Sequence, residues 1–132
     1  MRAKSGFTLV EILIVVVILG ILAAIVIPQF SDASTEAKTS SLASDLQTIR
    51  SQIELYKIQH NDNPPTLAGF VAQMTAKTDV AGAVGTDFGP YMREVPVEPF
   101  SNSAAVAATG ATVGWCYDQT DGNFWAPYDP NL

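Results

Sequence analysis

One stretch limits what this chain can become. Residues 7–27 are almost entirely apolar, interrupted by Thr8, Gly20 and one carboxylate, Glu11. As a helix rising ~1.5 Å per residue the run is ~30 Å long, the thickness of a bilayer's hydrocarbon core. No periodicity separates a wet face from a dry one, so this helix is apolar all round. The short segment before it carries Arg2 and Lys4. Positive charge ahead of an apolar span keeps that end cytoplasmic and sends the rest outward.

Three readings fit such a run. A signal anchor would merely tether a domain. A secretory signal peptide would have an apolar region of roughly 7–15 residues ending in small residues. This run is longer, and it ends in Ala23-Ala-Ile-Val-Ile-Pro28. The third reading starts from Glu11. An ionised carboxylate in lipid costs at least ~2.5 kcal/mol, so an intramembrane acid points to function. Neither a tether nor a signal peptide has a use for it.

Gly6-Phe7-Thr8-Leu9-Val10-Glu11 resembles the type III signal of type IV pilins and type II secretion pseudopilins. The resemblance implies that a prepilin peptidase cuts between Gly6 and Phe7 on the cytoplasmic side and methylates Phe7. It places the family's glutamate at Glu11 and the family's helix proline at Pro28. Cleavage would create an amine four residues upstream of Glu11. That amine can pair with Glu11 within the chain or with the Glu11 of a staggered neighbour, and the resemblance favours the neighbour. A buried ion pair adds little net stability over apolar packing, so the pair would set register more than strength. Gly20 and Pro28 both weaken a helix, through backbone entropy and a missing donor. The expectation is a continuous or bent helix in the subunit that opens between them in a filament, as family filaments do.

The remaining length suits one small globular domain. The formal charge is −6, and removal of residues 1–6 would take away Arg2 and Lys4 and leave a more acidic chain. Nucleic-acid binding normally needs a basic patch, so that class is not expected. Cys116 is the only cysteine, which leaves no intrachain disulfide. Many type IV pilins close a C-terminal loop with a disulfide, so this departure favours a pseudopilin. Cys116, between Trp115 and Tyr117, is expected to be a small buried hydrophobe.

Beyond Pro28 the sequence becomes water-compatible. Leu42, Leu46, Ile49, Ile53 and Tyr56 then recur at spacings of 4, 3, 4 and 3, one stripe of an amphipathic helix packed on its own domain. Asn61-Asp-Asn-Pro-Pro65 should end that helix near His60. His60, the only histidine, is expected to be solvated at the helix C-terminus, where its charge suits the dipole. Thr66 can cap a short helix over 67–74, and 78–89 reads as a loop. Prolines 90, 96 and 99 make 89–100 extended or turning. The Gly89-Pro90-Tyr91 and proline-rich turn are similar to the major pseudopilin of type II secretion. Strands are expected over 104–108, 113–118 and 123–126, the last two joined by a hairpin through Asp121-Gly122.

The fold class is thus α+β and pilin-like. A long N-terminal helix, half transmembrane and half amphipathic, packs on a small antiparallel sheet. The expected division is a leader at 1–6, a membrane and filament-core helix at 7–29, and an amphipathic helix with a periplasmic head at 30–132. Asp118, Asp121, Asn123 and Asp129 bring four oxygen-bearing side chains close together in sequence. The resemblance implies a possible calcium site there, while turn formation explains the same acids. Calcium needs ~6–8 oxygen ligands, and no EF-hand spacing is present. One His and one Cys leave no catalytic arrangement, so no enzyme is expected.

The functional expectation is a structural subunit of a type IV-like filament, a major-pseudopilin-like component of type II protein secretion. Its partners would be copies of itself, the prepilin peptidase, an inner-membrane assembly platform, and minor pilins or pseudopilins. It would span the inner membrane with its N-terminus cytoplasmic and its head periplasmic. One alternative is a type IV pilin for adhesion, motility or DNA uptake. Another, of a different class, is a membrane-anchored binding domain that never polymerises.

Overall fold

The computed structural model describes residues 6–112 and 114–128. The chain resolves into two compact units, Met1–Ala37 and Lys38–Leu132. The helix α1, Leu9–Gln59, contributes to both and runs unbroken through Gly20 and Pro28. In the first unit its side chains are all exposed, from Leu9 at 82% to Phe30 at 73%. It is long and apolar enough to cross a membrane by length and composition.

In the second unit α1 changes character. Leu42, Leu46, Ile49, Ile53 and Tyr56 are each buried, as the heptad-like stripe predicts. They form one core with Phe70, Met74, Trp115, Tyr117, Phe124 and Ala126. Asp45, Arg50 and Glu54 lie outside the stripe, and Arg50 donates from Nε to the Phe124 carbonyl at 2.8 Å. That bond ties the helix to a residue 74 positions later.

The helix ends where the breaker cluster begins. Asn61 and Asp62 take left-handed backbone, φ 54° and 64°, and the Asp62 N–H donates to the Lys57 carbonyl at 2.8 Å. This is the glycine-type helix stop with asparagine in glycine's place, which that residue tolerates. The short helix α2, Phe70–Thr75, starts later than the Thr66 cap predicts. Thr66 instead closes a turn, its carbonyl and hydroxyl both accepting from the Gly69 N–H. Residues 78–88 form the expected loop, closed where Thr78 and Phe88 exchange two backbone bonds of 3.0 Å.

Three strands follow: β1 Val106–Ala107, β2 Trp115–Asp118 and β3 Asn123–Trp125. β2 and β3 form the expected antiparallel hairpin, but β1 pairs parallel to β2, so the sheet is mixed rather than wholly antiparallel. A parallel return normally needs a long crossover. Here β1 has two residues, so only ~7 Å must be retraced at ~3.3 Å per residue. Gly114 makes the close approach possible. Its φ is +75°, and a Cβ there would lie 2.2 Å from the Ala105 carbonyl, which accepts the Trp115 N–H.

Candidate processing and assembly site

At the start of α1, the Thr8 carbonyl accepts the first helical N–H, from Ile12. The Thr8 hydroxyl accepts from the Glu11 N–H at 3.3 Å. In return Glu11 Oε2 accepts from the Thr8 N–H and from the Thr8 hydroxyl, each at 2.8 Å. Two of the orphan donors that every helix start exposes are thereby satisfied reciprocally, an arrangement known as a capping box. A threonine three residues before a glutamate is the sequence signal for it, and in the subunit Glu11 already holds Thr8 as a local partner. Cleavage between Gly6 and Phe7 would leave every atom of this box in place.

Gly6 and Phe7 precede the helix and are exposed, Phe7 at 83%. A Cβ built on Gly6 meets nothing within 4 Å, and the same is true of Gly20. The subunit's own packing therefore demands glycine at neither position. In Gly20's case glycine works against the helix by about 1 kcal/mol relative to alanine. Pro28 lies inside the helix and removes one of its donors.

The C-terminal acids have local work. Asp118 Oδ1 accepts from the Thr120 N–H at 2.9 Å, which holds its carboxyl below the usual carboxylate range. Asp121 Oδ1 accepts from the Asn123 N–H at 2.9 Å, and Asn123 Nδ2 donates to Asp121 Oδ2 at 2.5 Å. Gly122, at φ +83°, donates to the Asp118 carbonyl. These are the locks of the hairpin turn. Among the described residues no three His, Cys, Asp or Glu side chains are grouped to hold a metal ion. Asp129 lies outside the described residues.

Two residues do more than the sequence predicts. His60 is buried, 1% exposed, where a solvated charge was expected. Its Nδ1 lies 2.8 Å from the Tyr56 carbonyl and its Nε2 3.0 Å from the Thr78 hydroxyl. The helix stop turns the ring inward onto Tyr56 rather than out to water. Glu98 is the other, a fully buried carboxylate in the proline-rich segment. Its Oε1 and Oε2 accept from the Phe100 and Ser101 N–H groups at 2.9 and 2.5 Å.

Comparison with known proteins bears on this geometry. The family described as "Prokaryotic N-terminal methylation motif" matches residues 1–27, and "Type II secretion system (T2SS), protein G" matches residues 29–119. The chain belongs to the type II secretion system protein G family. A relative from Pseudomonas aeruginosa, named type II secretion system core protein G, is 36% identical over 109 residues. That match covers 83% of this chain and 77% of the relative. Relatives of the same name from Aeromonas hydrophila and Escherichia coli are 31% and 29% identical, over 83% and 81% of this chain and 76% and 74% of their own lengths. No solved structure matches the chain significantly. The protein G family match extends from the exposed helix into the β2 hairpin, and the methylation motif holds Gly6, Phe7 and the Thr8–Glu11 box.

Proposed function

We propose that this chain is the repeating, non-enzymatic subunit of a periplasmic type II secretion filament, cut and N-methylated at Phe7 before assembly. Residues 1–6 are then the leader, 7–29 the membrane and filament-core helix, and 30–132 the amphipathic helix and head. The observation that carries this reading is the coincidence of two features. An apolar helix has no cover among the described residues, and the methylation motif stands at its start. Such a helix needs either lipid or other copies around it. In the membrane the N-terminus would face the cytoplasm and the head the periplasm, following Arg2 and Lys4. The peptidase, an inner-membrane platform and minor pseudopilins are the partners this assembly requires. The filament would act as a piston or plug that drives substrates across the outer membrane.

Glu11 would exchange its bonds to Thr8 for the amine of a neighbouring Phe7. Gly20 and Pro28 would let the intervening backbone open once neighbours or water can satisfy its carbonyls. An unwound residue spans up to ~3.3 Å against ~1.5 Å in a helix, so a few residues would lengthen the stalk appreciably. Electron microscopy of sheared material from cells carrying the assembly platform tests the whole reading. Filaments with an open stretch between Gly20 and Pro28 are expected. A chain that stays in the membrane as a monomer sinks the filament role, and an unbroken helix in filaments sinks the unwinding.

Calcium binding by the C-terminal loop is a separate proposal. Asp118, Asp121, Asn123 and Asp129 would contribute oxygens, with backbone carbonyls completing a shell of ~6–8. A ligand bound only by the native state raises stability by mass action. Chelator should then lower the melting temperature of the full chain in micelles, and Asp121→Ala should abolish the response. A melting temperature indifferent to chelator retires calcium.

A further inference from the structure

The loop between Thr78 and Phe88 carries a tip without a charge, Val80-Ala-Gly-Ala-Val-Gly85. Hydrogen bonds hold that tip in one shape. Asp79 Oδ1 accepts from the Ala81 and Ala83 N–H groups at 2.9 and 3.0 Å. The Asp79 N–H donates to the Ala83 carbonyl at 2.9 Å, and the Gly85 N–H to the Lys77 carbonyl at 3.1 Å. From outside the loop, Gln73 Nε2 donates to the Gly82 carbonyl at 3.0 Å. What this scaffold presents to water is aliphatic: Val84 is 89% exposed and Val80 49%. Single exposed apolar residues are ordinary. Two on a loop already fixed are a better contact, because binding them orders little that is not ordered before.

The same head carries a groove built from other residues. Ala43, Leu46, Gln47, Arg50, Ser51 and Glu54 of α1 line about 490 Å³ of open space. Leu46, only 1% exposed, gives it an apolar floor. The Ser51 hydroxyl turns back onto the Gln47 carbonyl at 2.8 Å, so that wall asks for no further partner. The volume lies in the ~300–1,000 Å³ range of small-ligand clefts and admits a loop tip with one or two small side chains.

Loop and groove also match in charge. Arg50 gives Nε to the Phe124 carbonyl and has no ion-pair partner among the described residues. Asp87 stands exposed at the far end of the loop, and its side chain accepts only from the adjacent Thr86 hydroxyl, at 3.4 Å, among the described residues. The chain as a whole is acidic, so copies repel one another except where uncharged or oppositely charged surfaces meet. Tip and groove share no residue, so a contact between them is head-to-tail, the kind from which open helical filaments are built. A tip of this size buries less than the ~1,000 Å² of a stable isolated interface. The contact therefore acts between copies that their apolar helices have already gathered.

We propose that the Val84 tip of one copy seats in the 43–54 groove of the next, with Asp87 against Arg50. This contact rests on the filament reading above and names the surfaces by which neighbouring heads meet. The test uses the full chain in cells carrying the assembly platform, with a benzophenone amino acid at position 84. Sheared filaments are irradiated, and the adducts are digested and mapped by mass. Adducts from position 84 to the 43–54 segment of another copy are expected. Val84→Asp and Asp87→Lys should each lose filaments. Their processing and melting temperature should stay those of the parent, because both residues are exposed. Val84→Ile should assemble as the parent does. Absence of parental filaments sinks the filament reading and this contact with it. Parental filaments whose adducts map elsewhere on the chain, or to another protein, overturn the contact alone. Normal filaments from both charged variants overturn it too.

Discussion

The imidazole of His60 lies flat on the phenol ring of Tyr56, one turn earlier in α1, with ring centroids 3.7 Å apart and planes 4° from parallel. A carbonyl can only accept, so Nδ1 carries the proton toward the Tyr56 carbonyl. In the neutral tautomer Nε2 then accepts from the Thr78 hydroxyl. The edges of Phe88 and Tyr91 close the other sides of the ring, at centroid distances of 5.4 and 6.1 Å. His60 thus joins the end of α1 to the segment at Thr78. His60→Ala should destabilise the head by about 2–3 kcal/mol, the sum expected for lost packing and stranded buried partners. His60→Phe keeps a ring but no hydrogen bond and should fall between the two. Thermal melts followed by tryptophan fluorescence check both. A surface-like effect, within about 0.5 kcal/mol, would refute the buried role.

Glu98 does for the proline-rich turn what a cap does for a helix. Its backbone N–H donates to the Ser103 carbonyl, and its carbonyl accepts from Asn102, whose φ is 53°. Glu98→Ala would leave the part-buried Phe100 and Ser101 N–H groups without their acceptor. A loss of about 1–3 kcal/mol is expected, since water can reach part of what the carboxyl gave up. Glu98→Gln keeps one carbonyl oxygen and should recover part of the loss. Denaturant midpoints compare the three proteins, and equal midpoints for Ala and Gln would show that the accepted bonds do not matter.

Asp118 sets a pH dependence with a definite sign. The Thr120 N–H lowers its folded-state carboxyl below the ordinary range. A depressed acid adds stability above its unfolded pKa and loses it as pH falls through the folded one. Asp118→Ala should therefore melt lower than the parent at neutral pH. The gap should narrow as acid reaches the depressed pKa. Melts across a pH series measure it, and a gap that widens in acid would contradict the Thr120 bond.

Glu11→Ala should still insert in the membrane, because the span becomes more apolar. Assembly should fail or be poor, as the new amine of Phe7 loses its acceptor. Thr8→Val removes one of the two bonds Thr8 gives to the carboxylate and keeps the N–H, so its effect should be smaller. Intact mass should show a mature chain beginning at N-methyl-Phe7 in each case. Retained Met1 on assembled protein would refute the processing step, and normal filaments from Glu11→Ala would refute the register role.

How much of this was legible differs by residue. The stripe from Leu42 to Tyr56 and the Asp121-Gly122 hairpin were plain, because periodicity and turn chemistry are local. Thr8 with Glu11 is equally local, a threonine and a glutamate three apart at a helix start. The burial of His60 and of Glu98 was not legible. For His60 and Glu98 the partners lie elsewhere in the chain or in backbone groups whose direction no side-chain pattern encodes.

By itself, the sequence determined that a helix of bilayer length starts this protein, that an amphipathic stripe follows, and that the chain breaks near His60. Each rests on neighbours within a few residues, where helix geometry alone decides which side chains share a face. Only the tertiary structure decided that β1 runs parallel to β2, and that a lone histidine and a glutamate are interior. Those outcomes follow from chain segments brought together over tens of residues. There, burial removes water as a partner and obliges each polar group to find a protein one.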